Sequence, residues 1–186
     1  KDPFALRRAA IGVVQPLLEH ALDFDLVVAV DQSAALQPVT VSDEIKTKVL
    51  EFITGRLNVV LREQGYAHDV VDAILAEQAQ NPARAAKAVE QLSAWVAKED
   101  WQTILPAYSR CVRIMRSASV GSDQLSVNSE RFVESAEKEL YEAILNTENR
   151  KLNTIDEALA EVQTLVPAIN NFFEKVLVMD EDEAVK

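Results

Sequence analysis

Residues 42–65 read SDEIKTKVLEFITGRLNVVLREQG. Ile45, Val49, Phe52, Ile53, Leu57, Val60 and Leu61 recur there at three- and four-residue steps, the period of one face of an α-helix. Ser42 supplies an oxygen before the first apolar residue, and Gly65 gives a natural C-terminal stop. This long amphipathic helix sets the fold class. The chain of 186 residues holds only 4 Gly and 6 Pro, too few to punctuate a sandwich or barrel with its many tight turns. Hydrophobic residues make up 48% and charged residues 26%, the balance of a folded protein with one substantial domain or two small ones. The expectation is an all-α fold, a helical bundle.

The remaining segments extend the pattern in both directions. Asp2-Pro3 looks like a helix start leading to about His20, because a carboxylate can cap free N–H groups and Pro needs none at the first position. Residues 25–36 are apolar and partly β-branched, so their period fits a short strand or a buried helix; the helical surroundings favour helix. A helix is expected from His68 to Gln78, and Asn81-Pro82 opens another carrying Ala86, Val89, Leu92 and Trp95. The pattern resumes after Glu99 through Ile104, Tyr108, Cys111, Val112 and Met115, with Pro106 as a kink or as the true first turn. Ser117 to Asn128 is a polar linker. Phe132, Val133, Ala136, Leu140 and Ile144 form the next stripe, Asn153 with Asp156 resembles a capping box, and Pro167 is expected to restart the chain.

Composition excludes several chemistries. One Cys and two His can build neither a four-ligand zinc site nor a disulfide framework, which suits a reducing cytoplasm. No run of about 18 apolar residues and no basic-then-apolar leader is present, so no membrane partner is expected. Phosphate-cradling glycine loops, a GxSxG elbow and an HExxH pair are missing, and no catalytic residue, cofactor site or metal site is assigned to this segment. His68-Asp69 reads as a helix-start dipeptide and Glu137 with Glu139 as a solvated face. The net charge of −11 repels nucleic acid on average, so any RNA contact needs a local exception.

Residues 101–122 are that exception. They contain Arg110, Arg113 and Arg116 and no acid, a local +3 in a chain whose remainder sums to −14. Three-residue spacing turns a helix by about 300° per step, so the guanidiniums fan over a side about 120° wide while Val112 and Met115 face inward. Guanidinium groups bond phosphates bidentately and stack on unpaired bases, which suits a single-stranded RNA loop. Arg110, Arg113 and Arg116, with Tyr108 on the same helix, are the candidate RNA-binding residues. Trp95 and Trp101 flank a helix corner and read as core, and Arg7, Arg8, Arg56 and Arg62 as surface partners of carboxylates.

Four segments, in this order, carry a family resemblance: DPFALRRAAIG (2–12), LREQGYAHDVVDAILA (61–76), SRCVRIMR (109–116) and VPAINNFFEKVLVMDEDEAVK (166–186). Together they resemble the C-terminal part of the beta subunit of bacterial glycyl-tRNA synthetase, including its all-helical anticodon-binding domain of the DALR type. The resemblance implies a helical segment 1–38 continuing from an upstream domain, then an anticodon-binding domain 39–186 truncated at its C-terminus. It implies recognition of the anticodon region of glycine tRNA, within a cytoplasmic assembly of two alpha and two beta subunits. ATP and Mg would serve the alpha subunit, with no cofactor in this fragment. Cys111 departs from the family's pattern, standing where a basic or polar residue is common.

Glycine anticodons carry cytosine at their second and third positions, and a cytosine amino group can be read by a carboxylate. Asp182 is the candidate reader, with Asp180 and Glu183 beside it. The competing expectation is a helical protein-interaction module that docks onto another subunit without touching RNA.

Overall fold

The computed structural model describes residues 4–117, 129–147 and 150–176. Among them are eight α-helices and no strand: α1 (Leu6–Glu19), α2 (Leu26–Ala35), α3 (Asp43–Glu63), α4 (His68–Gln78), α5 (Pro82–Val96), α6 (Trp101–Ser117), α7 (Ser135–Leu145) and α8 (Ile155–Lys175). The all-α expectation holds. The chain divides into two compact units, Lys1–Ala94 and Trp95–Lys186. That division falls in the last turn of α5, not at the 38/39 boundary drawn from the sequence, and α1 and α2 both pack on α3.

In the first unit, α3 buries Ile53, Leu57 and Leu61, while α1 contributes Ala10, Val14 and Leu17. Each fully enclosed Leu or Val side chain contributes about 1.5–3 kcal/mol relative to exposure, so this face holds the helices together. Ser42 Oγ accepts from the Ile45 N–H at 3.4 Å, and Gly65 ends the segment with φ +96°, a conformation that side-chain-bearing residues rarely adopt. The Asp2-Pro3 start lies outside the described residues; α1 begins behind Ala5, itself at φ +56°.

Residues 25–36 settle as helix because Asp25 caps them. Its Oδ1 accepts from the N–H groups of Val27 at 2.8 Å and Val28 at 3.1 Å, satisfying two donors that a helix start leaves free. Replacing Asp25 by Ala is expected to cost about 1 kcal/mol, read as a lower urea midpoint for the first unit, whereas Asp25→Asn keeps most of it. Asn81 opens α5 by accepting from the Arg84 N–H at 3.1 Å, and Pro82 is fully buried behind it. Asp23 receives the Asn81 amide and the Arg84 guanidinium, each at 2.6 Å, and the Arg84 bond first and the Asn81 bond second hold its carboxyl below the usual range.

In the second unit, α6 and α7 pack on α8. Trp95, Ile104, Ala107, Val166 and Ile169 form its buried cluster, with Trp101, Cys111, Leu140 and Phe173 packed against it. Both tryptophans therefore serve the core. Three local expectations are corrected. The capping box sits one residue later than Asn153–Asp156: Thr154 Oγ1 accepts from the Glu157 N–H at 3.2 Å, and Glu157 Oε2 from the N–H groups of Asn153 and Thr154. Asp156 is thereby released to accept from Trp95 Nε1–H at 2.6 Å. Pro167 does not restart the chain, because α8 runs through it, as α6 runs through Pro106. Both prolines are exposed on their helices, so neither ring is forced into the core. Of the 132–144 stripe, only Ala136 is buried, and Val133 is largely exposed.

The paired glutamates of α7 are not simply solvated. Glu137 accepts from the N–H groups of Val133 and Glu134, capping the helix, and Glu139 accepts from Asn171 Nδ2 at 2.6 Å, tying α7 to α8.

Candidate nucleic-acid interface

Helix α6 positions the candidate residues, and the stripe it turns toward α8 decides where each one points. Ile104 and Ala107 are buried and Cys111 is partly buried against the α8 cluster, with Ile114 half-buried one turn on. The inward stripe thus runs 104–107–111, about one residue step, or roughly 100°, from the Val112 and Met115 positions expected to face inward. Met115 is instead 45% exposed and Val112 half-buried. Burial pushes the Cys111 thiol above the ordinary thiol range, against smaller opposing pulls from a backbone hydrogen bond and Arg110. A cysteine here fills a packing position rather than an RNA-facing one.

With that stripe inward, helical geometry sends Arg113 and Arg116 roughly 140–160° away from it, on either side of the solvent face, and Arg110 only about 80°. All three arginines are exposed. No ion pair engages Arg113 or Arg116 among the described residues, where the observed pairs use Lys46, Lys48, Arg84 and Arg150. Arg110 is different. Its guanidinium carbon stands 5.0 Å from the centroid of the Phe173 ring on α8, within the range of a cation–π attraction. Phe173 in turn meets Phe172 edge-on at 5.3 Å. Phe173 lies in the 166–186 segment quoted for the family resemblance, 63 positions from Arg110, too far for sequence to link the two.

Tyr108 lies on the flank of α6 away from Arg110, half exposed, in line with Leu105 and Met115. The structure therefore brings Arg113 and Arg116 to one solvent face, restrains Arg110 against α8, and sets Tyr108 in an adjoining apolar stripe beside Arg116. Asp182 lies outside the described residues. Among the described residues no group of three or more His, Cys, Asp or Glu side chains could hold a metal, and no helix is long and apolar enough to cross a membrane.

Residues 1–76 match the family model described as glycyl-tRNA synthetase beta subunit. Over its full length the chain is also 35% identical to the glycine–tRNA ligase beta subunit of Desulforapulum autotrophicum, 38% to that of Acidobacterium capsulatum and 32% to that of Myxococcus xanthus. The chain belongs to the glycyl-tRNA synthetase beta-subunit family. It spans 28% of the length of each of these relatives. The arginine helix lies beyond residue 76, so its place in a glycyl-tRNA synthetase beta subunit rests on the end-to-end likeness to these relatives rather than on the family model.

Proposed function

We propose that this chain is a tRNA-recognition region of a glycine–tRNA ligase beta subunit, and that α6 receives the anticodon loop of glycine tRNA. The observation that carries the reading is the pair of exposed guanidiniums of Arg113 and Arg116, which no ion pair engages among the described residues, on the only acid-free stretch of its length in a chain of net charge −11. Phosphates of a looped strand would lie on those two groups. An unpaired base would stack on the exposed ring of Tyr108, and Asp182 would read a cytosine amino group. The negative remainder of the chain opposes unspecific RNA binding. In this reading residues 39–186 belong to a DALR-type anticodon-binding domain, the subunit works in the cytoplasm in an assembly of two alpha and two beta subunits, and ATP with Mg is used on the alpha subunit to activate glycine.

A second reading has its own support. Leu105, Tyr108 and Met115 leave an apolar stripe half exposed along α6, which would equally suit docking onto another protein subunit without RNA contact. Filter binding of the chain to glycine tRNA separates the two. Two phosphate contacts with a single strand give an affinity that falls about sevenfold between 50 and 200 mM salt, at about 0.7 decades of affinity per decade of salt for each contact. Replacing the anticodon cytosines should weaken binding by a further tenfold or so, the effect of about 1–3 kcal/mol per misread base. Equal affinity for every tRNA, or none for any, favours subunit docking.

A further inference from the structure

An open apolar groove lies in the first unit, among α1, α2 and α3 and well away in sequence from the arginine helix. It has a volume of about 530 Å³ and is lined by Val13, Phe24, Leu26, Val30, Val49 and Ile53, among others. Val13, Phe24 and Val49 each keep about two fifths of their surface exposed, although each sits beside a well-packed core. The lining offers almost nothing to orient a polar small molecule. Its one charged group, Lys46, is already neutralised by Asp31 and Asp43, both at 3.0 Å. Ligand pockets of this size usually add a few converging polar groups to their apolar walls, and besides the paired Lys46 this one has only Ser33 and Gln37. A groove walled by three helices and open along one side has the shape left when a bundle lacks one member.

The length of the relatives outside this region bears on what fills it. Every residue lining the groove falls within the stretch 1–76 that matches the beta-subunit family, and most of the length of each relative lies outside the region this chain matches. We infer that the groove is the seat of an amphipathic helix from the remainder of the beta subunit, so that the first unit is one part of a larger packed body. Such a helix would present apolar residues at i, i+3, i+4 and i+7 to Val13, Val49 and Ile53. A basic side chain on its flank would meet the rim, where two carboxylates outnumber one lysine. The inference rests on family membership and on the groove, and is independent of whether α6 binds RNA.

Thiol labelling tests it without requiring any loss of structure. In a Cys111→Ser background, Val49→Cys reports the groove and Glu44→Cys, with a largely exposed side chain, reports open solvent. In this chain alone the two cysteines should react with maleimide within about threefold of each other. Cysteines at the aligned positions of the full-length Myxococcus xanthus beta subunit, followed by peptide mass spectrometry, should differ by fiftyfold or more, with the groove position protected. Fast labelling of that position in the full-length subunit overturns the inference. So does protection that grows with concentration in this chain alone, which would make the occupant a second copy, and protection that appears only on adding the alpha subunit, which would place the occupant there.

Discussion

A Trp95→Ala chain is expected to lose about 3–5 kcal/mol from the stability of its second unit, the usual cost of removing a large aromatic from a filled core. Trp95 is 3% exposed and packs with Ile104, Ala107, Val166 and Ile169, so its removal opens a cavity among these residues in the second unit. Two polar groups lose their partner at the same time. The Nε1–H donates to Asp156 at 2.6 Å, and Lys98 Nζ stands 3.0 Å from the ring centroid. Since a whole domain is stable by only about 5–15 kcal/mol, the loss is large enough to leave the second unit partly unfolded at room temperature. Urea unfolding followed by circular dichroism reads it directly. Trp95→Phe separates the contributions: it keeps most of the packing and drops the hydrogen bond, and because Asp156 is exposed and can be rehydrated the loss should be only about 1–2 kcal/mol. A shift below about 1 kcal/mol for Trp95→Ala would show that α6 and α8 hold together without it.

Reversing charge at both Arg113 and Arg116 is expected to weaken binding of glycine tRNA by about 100-fold or more, because each hydrogen-bonded charge contact contributes about 1.5–3 kcal/mol. The salt dependence should change with it. An affinity that falls by about 1.4 decades per decade of salt in the parent chain should become nearly flat in Arg113→Glu/Arg116→Glu, since the counterion release that those contacts produce is gone. Arg62→Glu, exposed near the end of α3, is the matched control and should stay within about twofold. Arg110→Ala should fall between them, because its guanidinium is already committed in part to the Phe173 ring. Substituting Arg113 and Arg116 removes no core contact, so thermal stability serves as the check that binding alone has changed. Unaltered affinity in the double variant would remove α6 as the RNA-facing element.

Much of this was legible before any coordinates. Helix periods, the Ser42 cap, the Gly65 stop and the Asn81-Pro82 start are local, each depending on residues within about four positions, so the primary structure determines them. The charge excess of residues 101–122 is likewise a property of composition, and the family resemblance is a property of order along the chain.

What lay out of reach depended on partners far away in sequence. Which side of α6 turns inward was decided by α8, whose Val166 and Ile169 take up Ile104, Ala107 and Cys111 in place of the nearly equivalent Val112 and Met115 stripe. An amphipathic helix with two apolar stripes cannot choose between them by itself, and here the choice separated Tyr108 from Arg110. Asp156 looked like a capping residue because Asn153 stood three positions before it, yet the indole N–H of Trp95, 61 positions away, claimed its carboxylate. Pro167 looked like a break because a proline removes one backbone donor, but twenty other residues of α8 and its packing on α6 and α7 outweigh that single loss. Backbone propensity acts over one or two turns, whereas burial and buried hydrogen bonds are settled only when distant helices meet. The chain alone therefore specified its helices and its cationic segment, and tertiary packing selected the surface on which each arginine stands.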